Sequence, residues 1–522
     1  MDRVLVFGTS DGGSIPSGGT KKFQMKHNLN NKIPEYVTHV TKTLQNAGFE
    51  AFLVGGCVRD IIIGREPKDW DITTNANPEQ IQGLFEKTVY ENKFGTVAVC
   101  IPKLTADSSE LTASEYEIVE VTPFRLETSY TDHRHPDLVT FSDNLEDDLQ
   151  RRDFTVNAIA YDPIKDILKD IFGGIKDIQE KTLRTVGEPN ERFGEDALRL
   201  MRAVRFSVEL GFVISSETLE AVEKNSDSIQ KISTERIRDE FRKIIMSPEP
   251  ALGIGMLQKL GLIKHFIPEL EQGIGCEQGG AHKFDVYEHL LQALQHSADK
   301  GWPLEIRLSA LFHDIGKPKT RRKGIKKAYT FYGHEVVGAR MTRVIMERMK
   351  FPKDTTELVT SLVRYHMFFS DTEQITLSAV RRVVRNVGVE NIWTLMNVRE
   401  CDRVGMAKAE APYRLRKYHA MIEQVLRDPI SVSQLVVDGN ILMKELDVMP
   451  GPRMGWILNS LLEEVLDDPE KNTREYLDKR VGELNQLEDK SLKLLGEKAK
   501  QIKDEAEEKE LGEIHKKHGV KK

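Results

Sequence analysis

The chain has 522 residues, 39% of them hydrophobic, and a formal net charge of −7 at pH 7. A chain of this length is expected to bury the cores of three or four domains. No apolar run approaches the ~18 residues that span a bilayer, and the N-terminus lacks a basic segment followed by an apolar one, so we expect neither export nor a membrane span and assign the protein to the cytoplasm.

The cysteines are widely separated and form no C-x-x-C pair; they are Cys57, Cys100, Cys276 and Cys401. This spacing argues against a disulfide framework and against a zinc finger, and it predicts reduced thiols. Metal-binding or catalytic chemistry is therefore sought in other residue types.

Two segments are strongly basic although the chain as a whole is acidic. Residues 317–327, KPKTRRKGIKK, contain seven basic residues and no acid, and residues 381–385 read RRVVR. Such segments are typical of surfaces that neutralise RNA phosphates. The alternative is a solvated loop for the first and a helix face for the second.

The N-terminal 30 residues are rich in Gly and Ser and can bury too little to order themselves, so they predict a flexible extension. Apolar periodicity begins after them, in a helix expected from about Pro34 to Ala47 and closed by Gly48. The first motif follows directly.

That motif is a glycine turn between two apolar segments. An apolar run ends at Val54 and leads through Gly55 and Gly56 into a helical segment that carries Arg59 in its first turn and stops at Gly64. Free backbone N–H groups and a guanidinium converge at such a helix start, which favours a triphosphate. On its own, a Gly-Gly pair is usually only a turn.

An Asp-x-Asp pair comes next. Asp69 and Asp71 flank Trp70 in a segment predicted to be a strand, where a spacing of two places both carboxylates on one face. Two hard oxygen ligands on one face favour Mg²⁺, the ion that phosphoryl transfer commonly uses. An isolated Asp-x-Asp pair is more often solvated surface.

A helix and two strands are expected after the Asp pair, at 78–85, 93–101 and 116–125. Glu120 lies among β-branched residues and is a candidate third metal-facing carboxylate, with Glu117 as its rival and a solvated side chain as the alternative. The polar segment 129–141 has neither helical nor strand periodicity and predicts a loop beside the site.

A second motif, RRDFTVNAIAYD at 151–162, begins with two arginines and an aspartate and then turns apolar. A salt-bridged helix start is the alternative interpretation of such a triplet. DIFGG follows at 170–174.

Together these motifs resemble the signature of the class II nucleotidyltransferase superfamily, which contains the tRNA CCA-adding enzymes and the bacterial poly(A) polymerases. The resemblance implies that Asp69 and Asp71 are catalytic and hold Mg²⁺. It also implies a set of residues that bind the triphosphate and the sugar: Gly55, Gly56, Arg59, Arg152, Asp153 and Asn157. DIFGG matches the family's third motif, a turn that couples the head to the next domain.

The sequence from Glu191 reads ERFGEDALRLMRAVRFSVELGF. It predicts a helix on which Asp196 and Arg199 share a face, with Arg202 close by. The family's Glu-Asp-x-x-Arg motif is complete here and begins at Glu195; the resemblance implies that it selects CTP and ATP as a protein template. The alternative is an i,i+3 salt bridge. Residues 232–248 resemble the fifth motif, a helix that braces the base-reading helix.

A second constellation lies downstream on predicted helices, in the order His, His-Asp, His, His, Asp: His289, His313, Asp314, His334, His366 and Asp402. This order resembles the HD-domain metal-dependent phosphohydrolases, and imidazoles and carboxylates gathered in a helix bundle favour a divalent metal such as Ni²⁺ or Mn²⁺. The resemblance implies hydrolysis of phosphate esters such as 2′,3′-cyclic phosphates. A purely tRNA-binding body is the alternative.

The last folded part is expected to be a helical tail. A Pro-Gly-Pro turn opens an amphipathic helix whose apolar residues lie on one side, namely Ile457, Leu461, Leu462 and Leu466. This part resembles the tail that holds the tRNA elbow in bacterial CCA-adding enzymes. The run from Leu487 to Lys522 is dense in Glu and Lys and predicts a solvated, fraying helix.

The predicted fold is an α/β nucleotidyltransferase head, a small mixed sheet with helices, followed by an all-helical neck, an HD-domain body and a helical tail. The predicted boundaries are a flexible extension at 1–30, the head at 31–162, the neck at 163–250, the body at 251–425, the tRNA-binding tail at 426–485 and a charged segment at 486–522.

The predicted function is that of a Mg²⁺-dependent CCA tRNA nucleotidyltransferase, with tRNA, CTP and ATP as partners. A bacterial poly(A) polymerase shares the catalytic residues but typically carries a Gly-Arg-Arg-Phe-type segment where this chain has KFGTVAV. Addition of A alone or of CC alone is a further alternative. A phosphohydrolase whose head only grips RNA, or a non-catalytic RNA-binding factor, would not require the intact Asp pair. The sequence leaves the oligomeric state open.

Overall fold

The computed structural model describes residues 29–90, 95–103, 116–128, 138–279, 283–324, 328–367, 376–404, 412–426, 432–445 and 448–501. Within these residues the chain divides into two compact units, which we call the head unit and the helical unit. The head unit runs to residue 187 without 181–183, and the helical unit comprises 181–183 and all residues from 188 onward. The predicted flexible extension lies almost wholly outside the described residues.

The described part of the head unit contains nine strands. They are β1 (Ala51–Val54), β2 (Asp71–Thr74), β3 (Thr88–Tyr90), β4 (Val97–Pro102), β5 (Tyr116–Pro123), β6 (Arg125–Thr128), β7 (Leu138–Phe141), β8 (Ile159–Asp162) and β9 (Ile167–Asp170). Seven of them form a mixed sheet in the order β3-β4-β5-β2-β1-β8-β9, with β2 and β5 parallel and the other neighbours antiparallel. The predicted mixed sheet is thereby confirmed.

Five helices accompany the strands of the head unit: α1 (Glu35–Asn46), α2 (Gly56–Ile63), α3 (Pro78–Leu84), α4 (Leu145–Gln150) and α5 (Gly174–Gln179). Helix α1 packs on β1 and β5 and α3 packs on β4 and β5, as expected for helices that bury an apolar stripe on a sheet. Phe52 and Val54 of β1 pack instead in a second cluster with Leu145 and Leu149 of α4. Helix α4 therefore lies over the opposite face of the sheet from α1.

Two sequence predictions in the head unit need correction. The predicted head boundary at residue 162 falls between paired strands, because β9 forms the edge of the sheet beside β8. Most of the predicted loop 129–141 lies outside the described residues, but its end forms β7, which pairs with β6. A four-residue strand is too short for alternation to be recognised in the sequence.

The described helical unit contains two short strand pairs, β10 (Thr182–Leu183) with β11 (Val213–Ile214) and β12 (Arg322–Lys323) with β13 (Tyr329–Thr330). Its helices are α6 (Pro189–Glu195), α7 (Leu198–Leu210), α8 (Ser216–Lys224), α9 (Thr234–Ile245), α10 (Pro250–Lys259), α11 (Val286–Asp299), α12 (Leu304–Phe312), α13 (Lys317–Thr320), α14 (His334–Arg348), α15 (Lys353–Tyr365), α16 (Leu377–Val387), α17 (Ile392–Asp402), α18 (Pro412–Val425), α19 (Gly439–Glu445), α20 (Pro452–Asp467), α21 (Arg474–Asn485) and α22 (Asp489–Gln501).

One apolar core joins the predicted body to the predicted tail. It contains Ala310 of α12, Leu395 of α17 and Ile457 of α20, all completely buried. The four apolar residues predicted for one side of α20 are all buried in it. The body and the tail therefore share a core, and the predicted division at residue 425 does not separate two packed units.

The predicted solvated C-terminal segment also needs correction over its described part. Residues 489–501 form α22, which packs against α20, and the side chain of Leu492 is fully buried in the shared core. Arg453 of α20 donates hydrogen bonds to the carbonyls of Asn485 and Leu487. Sparse apolar residues hid this packing, because a single buried leucine per helix turn carries little periodic signal.

Candidate active site and metal centre

The turn at Gly55 brings together a carboxylate and a guanidinium. Strand β1 ends at Val54, and Gly55 caps α2 with φ 80°. A Cβ added to Gly55 would lie 3.0 Å from Arg152 Nη1 and 3.5 Å from Asp71 Oδ2. Both the backbone conformation and the space therefore require glycine. The N–H groups that open α2 lie at the same turn, as predicted.

The Asp pair straddles the start of a strand. Asp71 is the first residue of β2, whereas Asp69 precedes the strand, so the strand begins later than predicted. Asp71 pairs with Glu120 across the parallel strands β2 and β5, which places both side chains on one sheet face. Glu117 lies three residues before Glu120 and therefore on the other face of the sheet. Burial is the main cause of the raised pKa of Tyr36 in α1, and the charge of Glu117 adds to it. Geometry thus favours Glu120 over Glu117.

The carboxylate of Asp71 is short of positive charge. Burial raises its pKa, Arg152 opposes that rise, and the neighbouring charge of Asp69 adds to it. Within the described head unit, no set of three His, Cys, Asp or Glu ligand atoms lies within 4.8 Å. A buried carboxylate beside a second carboxylate with one guanidinium for compensation fits a hard divalent cation.

Arg152 is held from behind by a carboxylate that the sequence analysis did not single out. Its Nη2 lies 3.0 Å from Asp148 Oδ2, and Arg151 binds the other oxygen of Asp148 at 2.6 Å. Asp148 is fully buried, but the two arginines outweigh burial and lower its pKa to about 2. The i,i+3 and i,i+4 spacings carried this signal; the arginines close a helix and do not start one. The buried Nε of Arg152 has no hydrogen-bond partner among the described residues, which fits an incoming anion.

Three further motif residues bind one another in the interior. Arg59 donates from Nη1 to Asn157 Oδ1 at 2.7 Å and from Nε and Nη2 to Asp60. Asn157 donates to Asp153 Oδ1 at 3.0 Å. These side chains are almost fully buried. The Arg59 guanidinium is held by Asn157 and Asp60, and its contact with a triphosphate stays a prediction.

DIFGG anchors this network through a close backbone approach. The N–H groups of Gly174 and Ile175 donate to the carboxylate of Asp170. A Cβ on Gly174 would lie 2.2 Å from the carbonyl oxygen of Thr155, and the Thr155 hydroxyl donates to Asp177 at 2.5 Å. The short 3₁₀ turn Thr155–Asn157 is therefore pinned against α5.

The predicted base-reading helix is broken at its key residue. Helix α6 ends at Glu195, Asp196 is extended, and α7 begins at Leu198. Arg199 donates to Glu195 Oε2 at 2.5 Å and to the carbonyl of Arg192 at 2.9 Å. The i,i+3 salt bridge weighed as the alternative is not formed. A break of two residues leaves the apolar period almost in phase, so the sequence pattern did not reveal it.

Asp196 is bound instead by the fifth motif. Arg236 of α9 donates to both of its carboxylate oxygens, at 2.8 and 3.4 Å, and the N–H of Leu198 donates to Oδ1. Arg202 lies 4.0 Å from Glu240 of the same helix α9. The predicted brace is confirmed as a fork of Arg236 on Asp196, although Arg236 itself was not singled out.

The six predicted ligands of the helical unit do come together, in two overlapping groups. His289, His313, Asp314 and Asp402 place one ligand atom each within 4.8 Å, and Asp314, His334 and His366 do the same. Oδ2 of Asp314 lies 3.4 Å from His289 Nε2 and 3.3 Å from His313 Nε2. Its Oδ1 lies 3.1 Å from His334 Nε2 and 3.7 Å from His366 Nε2. Asp314 thus lies between two potential metal positions.

The buried polar atoms of this cluster are arranged better for binding a metal ion than for hydrogen bonding to one another. Both oxygens of Asp314 and the Nε2 atoms of His334 and His366 are buried and make no hydrogen bond of good geometry in the described structure. Backbone carbonyls fix the imidazoles from behind; those of Ala310, Phe331 and Val363 accept from Nδ1 of His313, His334 and His366. This leaves each Nε2 directed at the cluster.

Without a cation, a proton takes part of the compensating role. Burial would lower the pKa of His313, but Asp314 and Asp402 outweigh burial and raise it to about 10. Burial and the charge of His313 lower the pKa of His289 to about 3. Burial works against ionised Asp314, but Lys317 and His313 hold its pKa well below the usual range. A divalent cation would displace the His313 proton, because metal ligands bind deprotonated.

Two cations missed by sequence reasoning support the carboxylates of the cluster. Lys317 Nζ lies 2.6 Å from Asp314 Oδ2 and donates to Gln278 Oε1. Arg399 donates to Asp402 Oδ2 at 2.6 Å, which leaves Oδ1 of Asp402 directed at the histidines. Lys317 follows the His-Asp pair by three residues and Arg399 precedes Asp402 by three, so both were detectable as one-turn neighbours.

The segment RRVVR lies on helix α16, and the face that carries Arg381 packs against α20 and is not a solvated helix face. Arg381 is buried and donates to the carbonyl of Leu466, and the other two arginines form ion pairs with acids of α20, Arg382 with Asp467 and Arg385 with Glu463. Its charges therefore form contacts between α16 and α20.

All four cysteines are free thiols, as predicted. Within the part of the chain that the structure describes, no helix is long and apolar enough to cross a membrane.

Comparison with protein families matches three successive parts of the chain. Residues 51–184 match the poly A polymerase head domain, residues 211–274 match the probable RNA and SrmB-binding site of polymerase A, and residues 286–391 match the HD domain. The CCA-adding enzyme of Lactobacillus helveticus is 31% identical over 453 residues, covering 85% of this chain and 96% of the relative. The chain belongs to the CCA-adding enzyme family. The family member from Lactococcus lactis is 43% identical over 244 residues, 46% of this chain and 58% of the relative.

Solved CCA-adding enzymes share the fold. The Bacillus stearothermophilus enzyme in complex with CTP aligns with a TM-score of 0.63 and 27% identity, over 86% of this chain and 96% of that one. The Thermotoga maritima enzyme complexed with tRNA aligns with a TM-score of 0.52 and 17% identity, over 87% of this chain and 97% of that one. The second likeness concerns the fold alone. The similarity to CCA-adding enzymes extends over both the head unit and the helical unit.

Proposed function

We propose that this protein adds C, C and A to the 3′ end of tRNA from CTP and ATP, without a nucleic-acid template. The observation that carries the proposal is the Gly55 turn, where Asp71 and Arg152 lie against a glycine with φ 80° and where a Cβ would lie 3.0 Å from Arg152 Nη1. Membership in the CCA-adding enzyme family supports the same activity, and the related Bacillus stearothermophilus enzyme was crystallised with CTP.

In each step the 3′-hydroxyl oxygen of the tRNA attacks the α-phosphorus of the nucleotide, the bond to the pyrophosphate oxygen breaks, and the hydroxyl proton is released. Asp69 and Asp71 would hold Mg²⁺, with Glu120 on the same sheet face as a third carboxylate. When bound, the metal supplies charge neutralisation on the phosphates. Arg152 offers its unpartnered Nε to the triphosphate.

The remaining head residues shape the anion-binding turn or position other side chains. Gly56 opens the turn of α2, whose N–H groups suit an anion. Arg59 and Asp153 fix both ends of the Asn157 amide, so Asn157 is presented to the sugar in one orientation. Arg59 and Asp153 would thus serve the nucleotide by positioning Asn157.

Base choice is assigned to Asp196, in the break between α6 and α7, and to Arg199 and Arg202 of α7. A carboxylate and guanidinium held rigidly offer an acceptor and donors to the edge of cytosine or adenine, and a mismatched base leaves polar groups unpaired. We expect Arg199→Ala to lose on the order of tenfold to a hundredfold in discrimination between CTP and UTP. Unchanged discrimination with measurable activity would remove Arg199 from this role.

The experiment is incorporation of labelled CTP and ATP into tRNA that ends at the discriminator base, with products resolved by length. We expect products that are three nucleotides longer than the substrate. Long A tracts, CC alone or A alone would instead indicate one of the alternative activities. Asp71→Asn should reduce incorporation at least a thousandfold, because it removes charge stabilisation needed only in the transition state. Asp143→Asn, which changes an exposed carboxylate of the same unit, is the matched control.

A second function is supported by a separate observation, the two groups of buried ligand atoms that share Asp314. We propose that His289, His313, Asp314, His334, His366 and Asp402 bind Mn²⁺ or Ni²⁺ and that this centre hydrolyses phosphate esters such as 2′,3′-cyclic phosphates. Water adds across one P–O bond of the cyclic ester and leaves a phosphomonoester and a free hydroxyl. Metal-stimulated hydrolysis of 2′,3′-cyclic AMP tests the proposal, and its absence would leave a tRNA-binding body.

A further inference from the structure

The basic segment that begins at Lys317 is only partly exposed, and its exposed part borders the metal centre of the helical unit. Lys317 is buried on Asp314 and is therefore unavailable to a distant phosphate. The next basic residues differ, because Lys319 is exposed at the end of α13 and both Arg322 and Lys323 are exposed on β12. The segment thus divides into a residue of the centre and a surface beside it.

The β12–β13 hairpin is tied to the centre at both ends of its base. Before the hairpin, Lys317 contacts Asp314 at 2.6 Å. After it, the carbonyl of Phe331 accepts from His334 Nδ1 at 2.8 Å, and the Phe331 ring lies 5.6 Å from Lys317 Nζ. The hairpin is therefore inserted between the segment that carries Asp314 and the helix that begins at His334.

The hairpin combines cations with an aromatic ring. Strand pairing places Arg322 opposite Thr330 and Lys323 opposite Tyr329, and the guanidinium of Arg321 stacks over the Tyr329 ring at 3.7 Å. One acid is close, Glu277 at 3.8 Å from Arg321. Basic side chains beside aromatic rings are typical of surfaces that follow a single-stranded nucleic acid.

A mononucleotide has no use for this surface. Its single phosphate would be neutralised at the centre itself, by the metal and by Lys317. A polynucleotide whose terminal phosphate ester is bound at the centre carries further phosphates away from it, and the exposed cations of the neighbouring hairpin can neutralise them.

We propose that the β12–β13 hairpin binds the single-stranded RNA that precedes a 3′-terminal phosphate ester, so that the centre of the helical unit acts on RNA ends in preference to free nucleotides. This inference rests on the proposed phosphohydrolase function and names its substrate class. Lys319, Arg322 and Lys323 supply the phosphate contacts.

The test uses the full chain with Mn²⁺ and compares a short ribo-oligonucleotide ending in a 2′,3′-cyclic phosphate with 2′,3′-cyclic AMP. The variant Arg322→Glu with Lys323→Glu should lose on the order of tenfold in kcat/KM on the oligonucleotide, with a weaker salt dependence, and keep its rate on cyclic AMP. The control Arg343→Glu with Lys353→Glu makes the same charge change at exposed positions of α14 and α15, outside the part of the chain that matches the RNA-binding site, and should behave like wild type.

A binding measurement separates this inference from the proposed hydrolysis. Fluorescence anisotropy with a labelled ribo-oligonucleotide ending in a 3′-phosphate, which offers no hydroxyl to the nucleotidyltransferase reaction, should show weaker binding by the hairpin variant than by the control. Wild-type protein that hydrolyses neither substrate would overturn the phosphohydrolase proposal, while the binding comparison would still decide the hairpin's role. Equal affinities and equal oligonucleotide rates in the two variants would overturn the inference.

Discussion

Gly55 and Gly64 bound the same short helix and share a positive φ, 80° and 78°, but their surroundings differ. A Cβ at Gly64 would meet nothing within 4 Å, whereas a Cβ at Gly55 would press on Arg152 and approach Asp71. The two positions therefore separate the cost of a strained backbone from the cost of a displaced site. A positive φ destabilises a non-glycine residue by about 1 kcal/mol or more.

We expect Gly64→Ala to lower the free energy of unfolding by about 1 kcal/mol and to leave nucleotide incorporation near the wild-type rate. Gly55→Ala should lose on the order of a hundredfold in incorporation, because a shift of Arg152 by a fraction of an ångström misaligns the triphosphate. Urea denaturation and incorporation assays on both variants provide the comparison. Equal activities in the two variants would contradict the close-approach argument.

At the scale of elements, helix α9 orients a carboxylate in the break between two neighbouring helices of the neck. Helix α9 reaches the break between α6 and α7 through the fork of Arg236 on Asp196. Arg242 lies on the same helix and is exposed, so it supplies the same side chain without this contact. The fork fixes the orientation of the Asp196 carboxylate, which could otherwise rotate.

Arg236→Met should therefore lose on the order of tenfold in discrimination between CTP and UTP, because a freed Asp196 no longer presents one fixed acceptor. Arg242→Met is the matched control and should retain wild-type discrimination. Single-nucleotide incorporation with each triphosphate measures both. If the two methionine variants discriminate alike, Arg236 has only a structural role.

The C-terminal helix α22 offers a second test at this scale, because two of its leucines differ in burial. Leu492 is completely buried and Leu494 is 57% exposed. We expect Leu492→Ala to cost about 2–5 kcal/mol of unfolding free energy and Leu494→Ala less than about 0.5 kcal/mol. Thermal and urea denaturation would show whether α22 belongs to the core or frays in solvent, in which case both variants would match wild type.

For the whole molecule, the two candidate metal sites belong to different compact units and share no residue. Their ligand chemistries also differ, with carboxylates in the head and mostly imidazoles in the helical unit. Hard Mg²⁺ suits the first and Mn²⁺ or Ni²⁺ the second. The sites should therefore fail independently.

Asp314→Asn should abolish the rise in melting temperature that Mn²⁺ confers through the helical unit, together with any phosphohydrolase activity, because Asp314 lies in both ligand groups. CCA addition should continue at the wild-type rate. Asp71→Asn should show the reverse pattern, with the Mn²⁺ effect on melting retained and incorporation lost. Loss of both activities in a folded Asp314 variant would show instead that the helical unit only supports the head.

Elements in which local spacing carries the chemistry could be predicted from the sequence. Gly55 after an apolar run, the Asp pair, and the six ligands in the order of HD-domain proteins were all recognisable, because turns and motif order depend on near neighbours. The apolar side of α20 was equally recognisable, because helical periodicity reports which face is buried.

The partner of each charged group could not be predicted from the sequence, because it depends on how the folded elements pack. Glu120 rather than Glu117 shares a face with Asp71 because of strand register, and Asp314 lies between two ligand groups because α14 and α15 bring His334 and His366 to it. Arg236 binds Asp196 across 40 residues of chain, a distance at which sequence spacing carries no information. Charges pair with whatever packing brings within a few ångströms, and that packing is a property of the folded chain as a whole.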